Sequence, residues 1–151
     1  GCSNAHVFAH AGKPWLSQYW VRRVKEQAHG AITPDKGYGG HDEDQGQMSA
    51  WLVMASLGLF QTDGGCRTHP IYEIASPLYE KAEINLGNQF GRGKSFTIEA
   101  RNTSRKNIYV QSASLNGKAL HTFHFPAAEL LKGGTLVLEM GPEPNTTWGV
   151  E

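Results

Sequence analysis

At 151 residues the chain is the size of one ordinary domain, or of a piece of a larger one. Fourteen Lys and Arg balance fourteen Asp and Glu, so there is no electrostatic footprint for nucleic acid or for an anionic membrane surface. No apolar run approaches the ~20 residues that a bilayer span needs, and the first residues do not read as a basic-then-apolar leader.

Cys2 and Cys66 are compatible with one disulfide or with two free thiols. Asn102-Thr103-Ser104 and Asn145-Thr146-Thr147 fit the glycosylation acceptor pattern, which matters in a eukaryotic secretory protein. Near the start, His6 and His10 stand four apart. On a helix that spacing puts both imidazoles on one face, as in a metal pair, but no HExxH glutamate accompanies them. Partly buried or exposed histidines are the expectation.

Gly12 and Pro14 open the first helix and Gly30 stands just beyond its far end. Trp15, Leu16, Tyr19, Trp20, Val24 and Ala28 recur at three-and-four spacing, which predicts them as the buried face. Arg22, Arg23, Lys25 and Glu26 are then expected largely on the wet side. A glycine-rich connection from Ala31 to Gly40 follows, and a loop of that length inside a compact domain is more often functional than not.

The stretch from Gly39 to Phe60, GGHDEDQGQMSAWLVMASLGLF, sets a carboxylate-rich loop before an apolar helix. The first N–H groups of a helix lack partners and carry the positive end of its dipole, so acids just upstream are held ionised. Asp42 and Asp44 are two apart and leave an extended backbone on the same side, with Glu43 on the other. Such a pair can bind a cation or take a proton from water. Plain helix capping is the alternative reading. Against it stands the cost of three like charges beside an apolar helix, which repel one another and lose hydration unless something compensates. An EF-hand does not fit, because the glycine and the bidentate glutamate are not at the sixth and twelfth loop positions. The helix that follows is apolar nearly all round, so other elements must surround it, and two helices cannot surround one another.

From Gln61 onward the pattern is that of strands. Alternating segments are predicted at Ile71–Ile74, Ala82–Leu86, Ser95–Arg101, Ile108–Leu115, Ala119–Phe125 and Thr135–Met140, with a helical turn at Pro126–Leu131. Asn116-Gly117 is a strong hairpin signal. Six short strands with turn chemistry between them predict an antiparallel sheet or sandwich.

Several motifs stand in a fixed order. They are Ala11-Gly12-Lys13-Pro14-Trp15 with Gln18 and Val21-Arg22, then Gly40, Asp42-Glu43-Asp44, Gly46-Gln47-Met48-Ser49-Ala50-Trp51 and Leu57-Gly58-Leu59-Phe60. Tyr72-Glu73-Ile74, Ser76-Pro77-Leu78, Phe96-Thr97-Ile98, Asn107 to Ser112, Leu115-Asn116-Gly117, Met140-Gly141-Pro142, Pro144-Asn145 and Trp148-Gly149 complete the series. The series covers nearly the whole chain and resembles the signature of glycoside hydrolase family 92, the calcium-dependent exo-α-mannosidases.

That resemblance implies an N-terminal β-sandwich followed by an (α/α)6 barrel, with the active site at their interface. Residues 1–65 would be the C-terminal helices of the barrel with the acidic catalytic loop, and residues 66–151 a C-terminal antiparallel β region, making the chain α+β. It implies an inverting exo-α-mannosidase acting on terminal α-1,2-linked mannose of glycans. Asp44 would be the general base and Asp42 its partner in holding the water, with Gln47 orienting the loop or touching substrate. A bound calcium would touch the mannose 2- and 3-hydroxyls and help distort the ring, with ligands not assignable in this stretch. The family's catalytic acid and its Glu-Pro stretch lie upstream, and Gly1-Cys2-Ser3-Asn4 does not reproduce the latter, so the missing N-terminal part of the polypeptide is an implied partner. The substrate class favours a secreted or periplasmic location. The competing reading is a non-catalytic carbohydrate- or protein-binding β module whose acidic loop is structural.

Overall fold

The computed structural model describes residues 2–29, 33 and 45–150. A short 3₁₀ turn, Cys2–Ala5, leads through further turns into α1 (Pro14–Ala28). Proline belongs in that first turn, where its missing N–H would have had no partner. The second helix, α2 (Gln47–Leu57), ends on Gly58, whose left-handed φ of 79° lets the chain turn sharply away. A Cβ there would lie 2.8 Å from the Pro77 ring, so both conformation and space select glycine.

Beyond α2 the chain forms β1 (Leu59–Phe60), β2 (Ile71–Ile74), β3 (Lys81–Asn85), β4 (Ser95–Arg101), β5 (Tyr109–Leu115), β6 (Lys118–Leu120), β7 (His124–Pro126), α3 (Ala127–Lys132) and β8 (Gly134–Gly141). One sheet has the order β1-β2-β7 and the other β3-β4-β8-β5-β6. The chain is thus α+β as anticipated. Its larger sheet is mixed, because β4 and β8 run parallel while the remaining pairs are antiparallel. Asn116 and Gly117 take φ of 51° and 78° between β5 and β6, the positive pair that a tight two-residue hairpin turn requires.

The two sheets share one core. Phe96, Ile98 and Ala100 of β4 alternate inward against Leu136, Leu138 and Met140 of β8, and Leu59, Ile74 and Phe125 reach the same cluster from the smaller sheet. Phe96 and Phe125 stack across the join with centroids 5.9 Å apart. A smaller cluster of Ala5, Val21, Trp51, Ala55 and Ala75 joins the helices to the segment after β2.

Three sequence expectations change. The strand anticipated over Ala119–Phe125 is two strands, because β6 pairs with β5 in one sheet and β7 with β2 in the other. Leu59 and Phe60 continue the apolar run of α2, yet beyond Gly58 they pair with Ile74 and Glu73 as a strand. Most consequentially, α1 buries Pro14, Ser17, Gln18, Val21, Arg22 and Lys25, while Trp20 stays 42% exposed. The buried Arg22 and Lys25 donors are satisfied by carbonyl and hydroxyl oxygens from distant segments, a compensation that helical periodicity does not report. The apolar face of α2 is likewise open at Val53, 59% exposed.

Gly58→Ala is predicted to destabilise the fold by about 1–2 kcal/mol for the left-handed conformation, and further through the contact with Pro77. A denaturant titration of the variant, alone and with Pro77→Ala, separates the contributions. Relief of part of the loss in the double variant is the expected result.

Candidate active site

Asp42 and Asp44 lie outside the described residues, so their side chains have no placement here. What is placed is the pair of helix ends on either side of them. Gln47 is the first residue of α2 and is exposed. The N-cap is Gly46, and neither the cap nor the first turn holds an acid.

The C-terminal turn of α2 and the segments after β2 and β4 are fastened through α1. Arg22 donates from Nε to Ser76 Oγ at 2.9 Å, from Nη1 to the Ser104 carbonyl at 3.3 Å and from Nη2 to Thr103 Oγ1 at 2.8 Å. Its Nη2 also donates to the Pro77 carbonyl. One turn on, Lys25 donates from Nζ to the carbonyls of Ala55 at 2.8 Å and Ser76 at 2.9 Å. Burial, and then the neighbouring Arg22 charge, pull the Lys25 amine down to about 6. Gln18 accepts from the Val110 N–H at 2.9 Å, tying the same helix face to β5.

Trp51 anchors the middle of α2. Its Nε1–H donates to His6 Nε2 at 3.2 Å, and the His6 ring stacks on Phe60 with centroids 4.2 Å apart. His29, just past α1, stacks on the other partner of this group, Trp51, at 5.5 Å. Accepting from Trp51 requires a neutral His6, and burial, then Lys25, lower its pKa to about 3.

His10 goes elsewhere. Its Nε2 lies 2.9 Å from Glu73 Oε1, and its ring meets the edge of Phe123. Glu73, buried in β2, also accepts from the Thr62 N–H at 3.2 Å and from the Thr62 hydroxyl. The two histidines therefore serve different contacts and form no metal pair. Among the described residues no group of three or more His, Cys, Asp and Glu could hold a metal ion. Cys66 is an exposed free thiol.

Sequence reasoning assigned Arg22 and Lys25 to solvent and so missed the residues that fasten the helices. A signal was available. Ser17, Gln18, Val21, Arg22 and Lys25 share a face containing small and amide side chains that are weak candidates for a wet surface.

Comparison with known proteins bears on the same stretch. Residues 2–142 match the glycosyl hydrolase family 92 catalytic domain. An uncharacterized secreted glycosidase of Arthroderma benhamiae is 32% identical over 145 residues, covering 95% of this chain and 17% of that protein. The structure of a family GH92 inverting mannosidase from Bacteroides thetaiotaomicron superposes with a TM-score of 0.83 at 33% identity, covering 99% of this chain and 19% of that one. A GH92 α-mannosidase from the same bacterium gives a TM-score of 0.86 at 29% identity, again over 99% of this chain and 19% of that one. The chain thus spans less than a fifth of the length of these relatives.

The His6 geometry sets a pH dependence. Its folded pKa of about 3 lies below the ordinary 6.5, so the unfolded state binds more protons between those values, and stability falls as pH drops through that window. Above pH 6.5 the group contributes no such loss. His6→Gln keeps an acceptor for Trp51 but does not titrate, and its stability, followed by denaturant unfolding, is predicted to decline less steeply than that of the wild type over the same range.

Proposed function

Because the chain belongs to glycosyl hydrolase family 92, we propose that the polypeptide containing it is an inverting exo-α-mannosidase that removes terminal α-1,2-linked mannose from glycans. The observation that carries this reading is the family match over residues 2–142, which takes in the Asp42-Glu43-Asp44 segment. The mannosidase neighbours support the sugar. The chain is read as the C-terminal portion, with the rest of the same polypeptide supplying the general acid.

In this reading Asp44 is the general base and Asp42 helps to hold the water. A carboxylic acid elsewhere in the polypeptide gives its proton to the glycosidic oxygen as the bond from that oxygen to the anomeric carbon breaks. Water attacks the anomeric carbon from the opposite face, and Asp44 takes the water's proton. The product has inverted configuration, which calls for carboxyl groups about 6.5–9.5 Å apart with space for the water between them. Asp44 suits this role because a carboxylate just ahead of a helix is held ionised. Gln47, exposed at the start of α2, is positioned in sequence to orient the loop or meet the substrate.

Calcium enters as a requirement of the whole enzyme, held by oxygen ligands that this stretch does not assign. A secreted or periplasmic location follows from the glycan substrate and is supported by the secreted relative. None of the described helices is long and apolar enough to cross a membrane.

Asp44→Asn in the full-length protein is predicted to lower turnover of α-1,2-mannobiose by about 10²- to 10⁴-fold, and normal turnover would dismiss the base. Chelation is predicted to abolish wild-type activity and added calcium to restore it. The 151-residue chain alone is predicted to turn over nothing.

A further inference from the structure

Two ionisable side chains of α1 are buried, Arg22 and Lys25, and they differ in kind. Arg22 keeps its charge and spreads it over oxygens of Ser76, Pro77, Thr103 and Ser104. Lys25 can lose its charge, and it brings three segments to one atom. From the last turn of α1 its Nζ donates to the Ala55 carbonyl, in the C-terminal turn of α2, and to the Ser76 carbonyl beyond β2. Only 3% of the residue meets solvent.

The acceptors around that atom match an uncharged amine. Its two N–H groups go to the two carbonyls at 2.8 and 2.9 Å. An ammonium has three, and the third would need a further acceptor in a dry setting beside the Arg22 charge.

Among the described residues, the groups packed around Nζ do little to offset such a charge. On α1, Arg22 opposes a proton there, while Glu26 favours one but is half exposed and directed to Arg23 at 3.6 Å. From the N-terminal turns comes His6, which is neutral because it accepts from Trp51 Nε1–H. The α2 residues from Trp51 to Leu57 carry no ionisable group, and neither do Ala75, Ser76, Pro77 and Leu78. Burial, and then Arg22, lower the amine to about 6, with Glu26 acting in the opposite direction.

We propose that Lys25 is a proton-sensitive tie: its uncharged amine holds the end of α1 to the C-terminal turn of α2 and to the segment after β2, and releasing them takes up one proton on Nζ. In the released state the amine meets water and returns to its ordinary 10.5. Between about 6 and 10.5 the open state therefore binds the extra proton, and opening is favoured as pH falls, about tenfold per pH unit. Below about 6 the closed state is protonated too, and the dependence levels off.

The test is hydrogen exchange on the full-length protein, read by mass spectrometry on peptides containing the Ala75 and Leu78 amides. These donate to the carbonyls of Gly58 and Ser56 at 2.8 and 2.9 Å, joining the segment after β2 to the end of α2. Lys25 is bonded to both segments, so they part only when its tie breaks. After division by the intrinsic exchange rate, opening in the wild type is predicted to become about tenfold rarer per unit from roughly pH 6.5 to 8.5. Lys25→Met keeps the side-chain length and takes up no proton, and its opening is predicted to stay within about twofold across that range. His6→Gln is predicted to keep the wild-type slope, because His6 stops contributing above pH 6.5.

A wild-type opening that does not change with pH, or a Lys25→Met slope equal to that of the wild type, would overturn the proposal. If Lys25→Met does not fold, Lys25→Gln, which has two amide N–H donors and does not titrate, takes its place under the same criteria. The readout does not depend on turnover, so its outcome is separate from the role given to Asp44.

Discussion

The arrangement of this chain depends on a buried polar face of one helix whose donors are met by backbone and hydroxyl oxygens. Arg22 and Lys25 between them reach the carbonyls of Ala55, Ser76, Pro77 and Ser104. Those carbonyls sit at a helix end and in irregular segments, where backbone acceptors have no ladder to join. The exchange suits both sides: the Ala55 and Pro77 carbonyls have second donors in the Gly58 N–H and the Thr103 hydroxyl, and a buried acceptor left with none costs about 1–3 kcal/mol. It also explains how a helix with aromatic residues on its open face is held to the sheets through its polar one.

Much of the β region was legible because its information is local. The segment Ser95–Arg101 alternates buried and half-exposed positions as its sequence suggests, and β2 and the Asn116-Gly117 hairpin fall at the anticipated residues. The failures occur where the deciding partner is distant in sequence. Nothing in Ala119–Phe125 announces that His121 to Phe123 carries the chain from one sheet to the other. Leu59 and Phe60 continue an apolar run, and it is the left-handed Gly58 and the pairing with β2 that make them a strand.

The helices show the same limit more sharply. Periodicity alone assigns Trp20 to the interior and Lys25 to water, and both assignments are reversed. The rule that polar residues face out fails here because the neighbouring segments supply paired acceptors for the buried polar groups. The candidate site was reached by another route. Asp42 and Asp44 were selected from an ordered series of motifs, whereas the residues that fasten their flanking helices became visible with the fold.

Family membership and the helix clamp describe the chain at two scales: a glycosidase domain of family 92, and a pair of helices fastened to the β region through the polar face of α1. The most direct measurement is a crystal structure of the full-length protein with a mannose-shaped inhibitor. The account predicts the Asp44 carboxylate holding a water on the face of the sugar opposite the departing group, with the Lys25 amine bonded to the Ala55 and Ser76 carbonyls. An Asp44 turned away from the sugar, or a Lys25 released from both carbonyls, would contradict it.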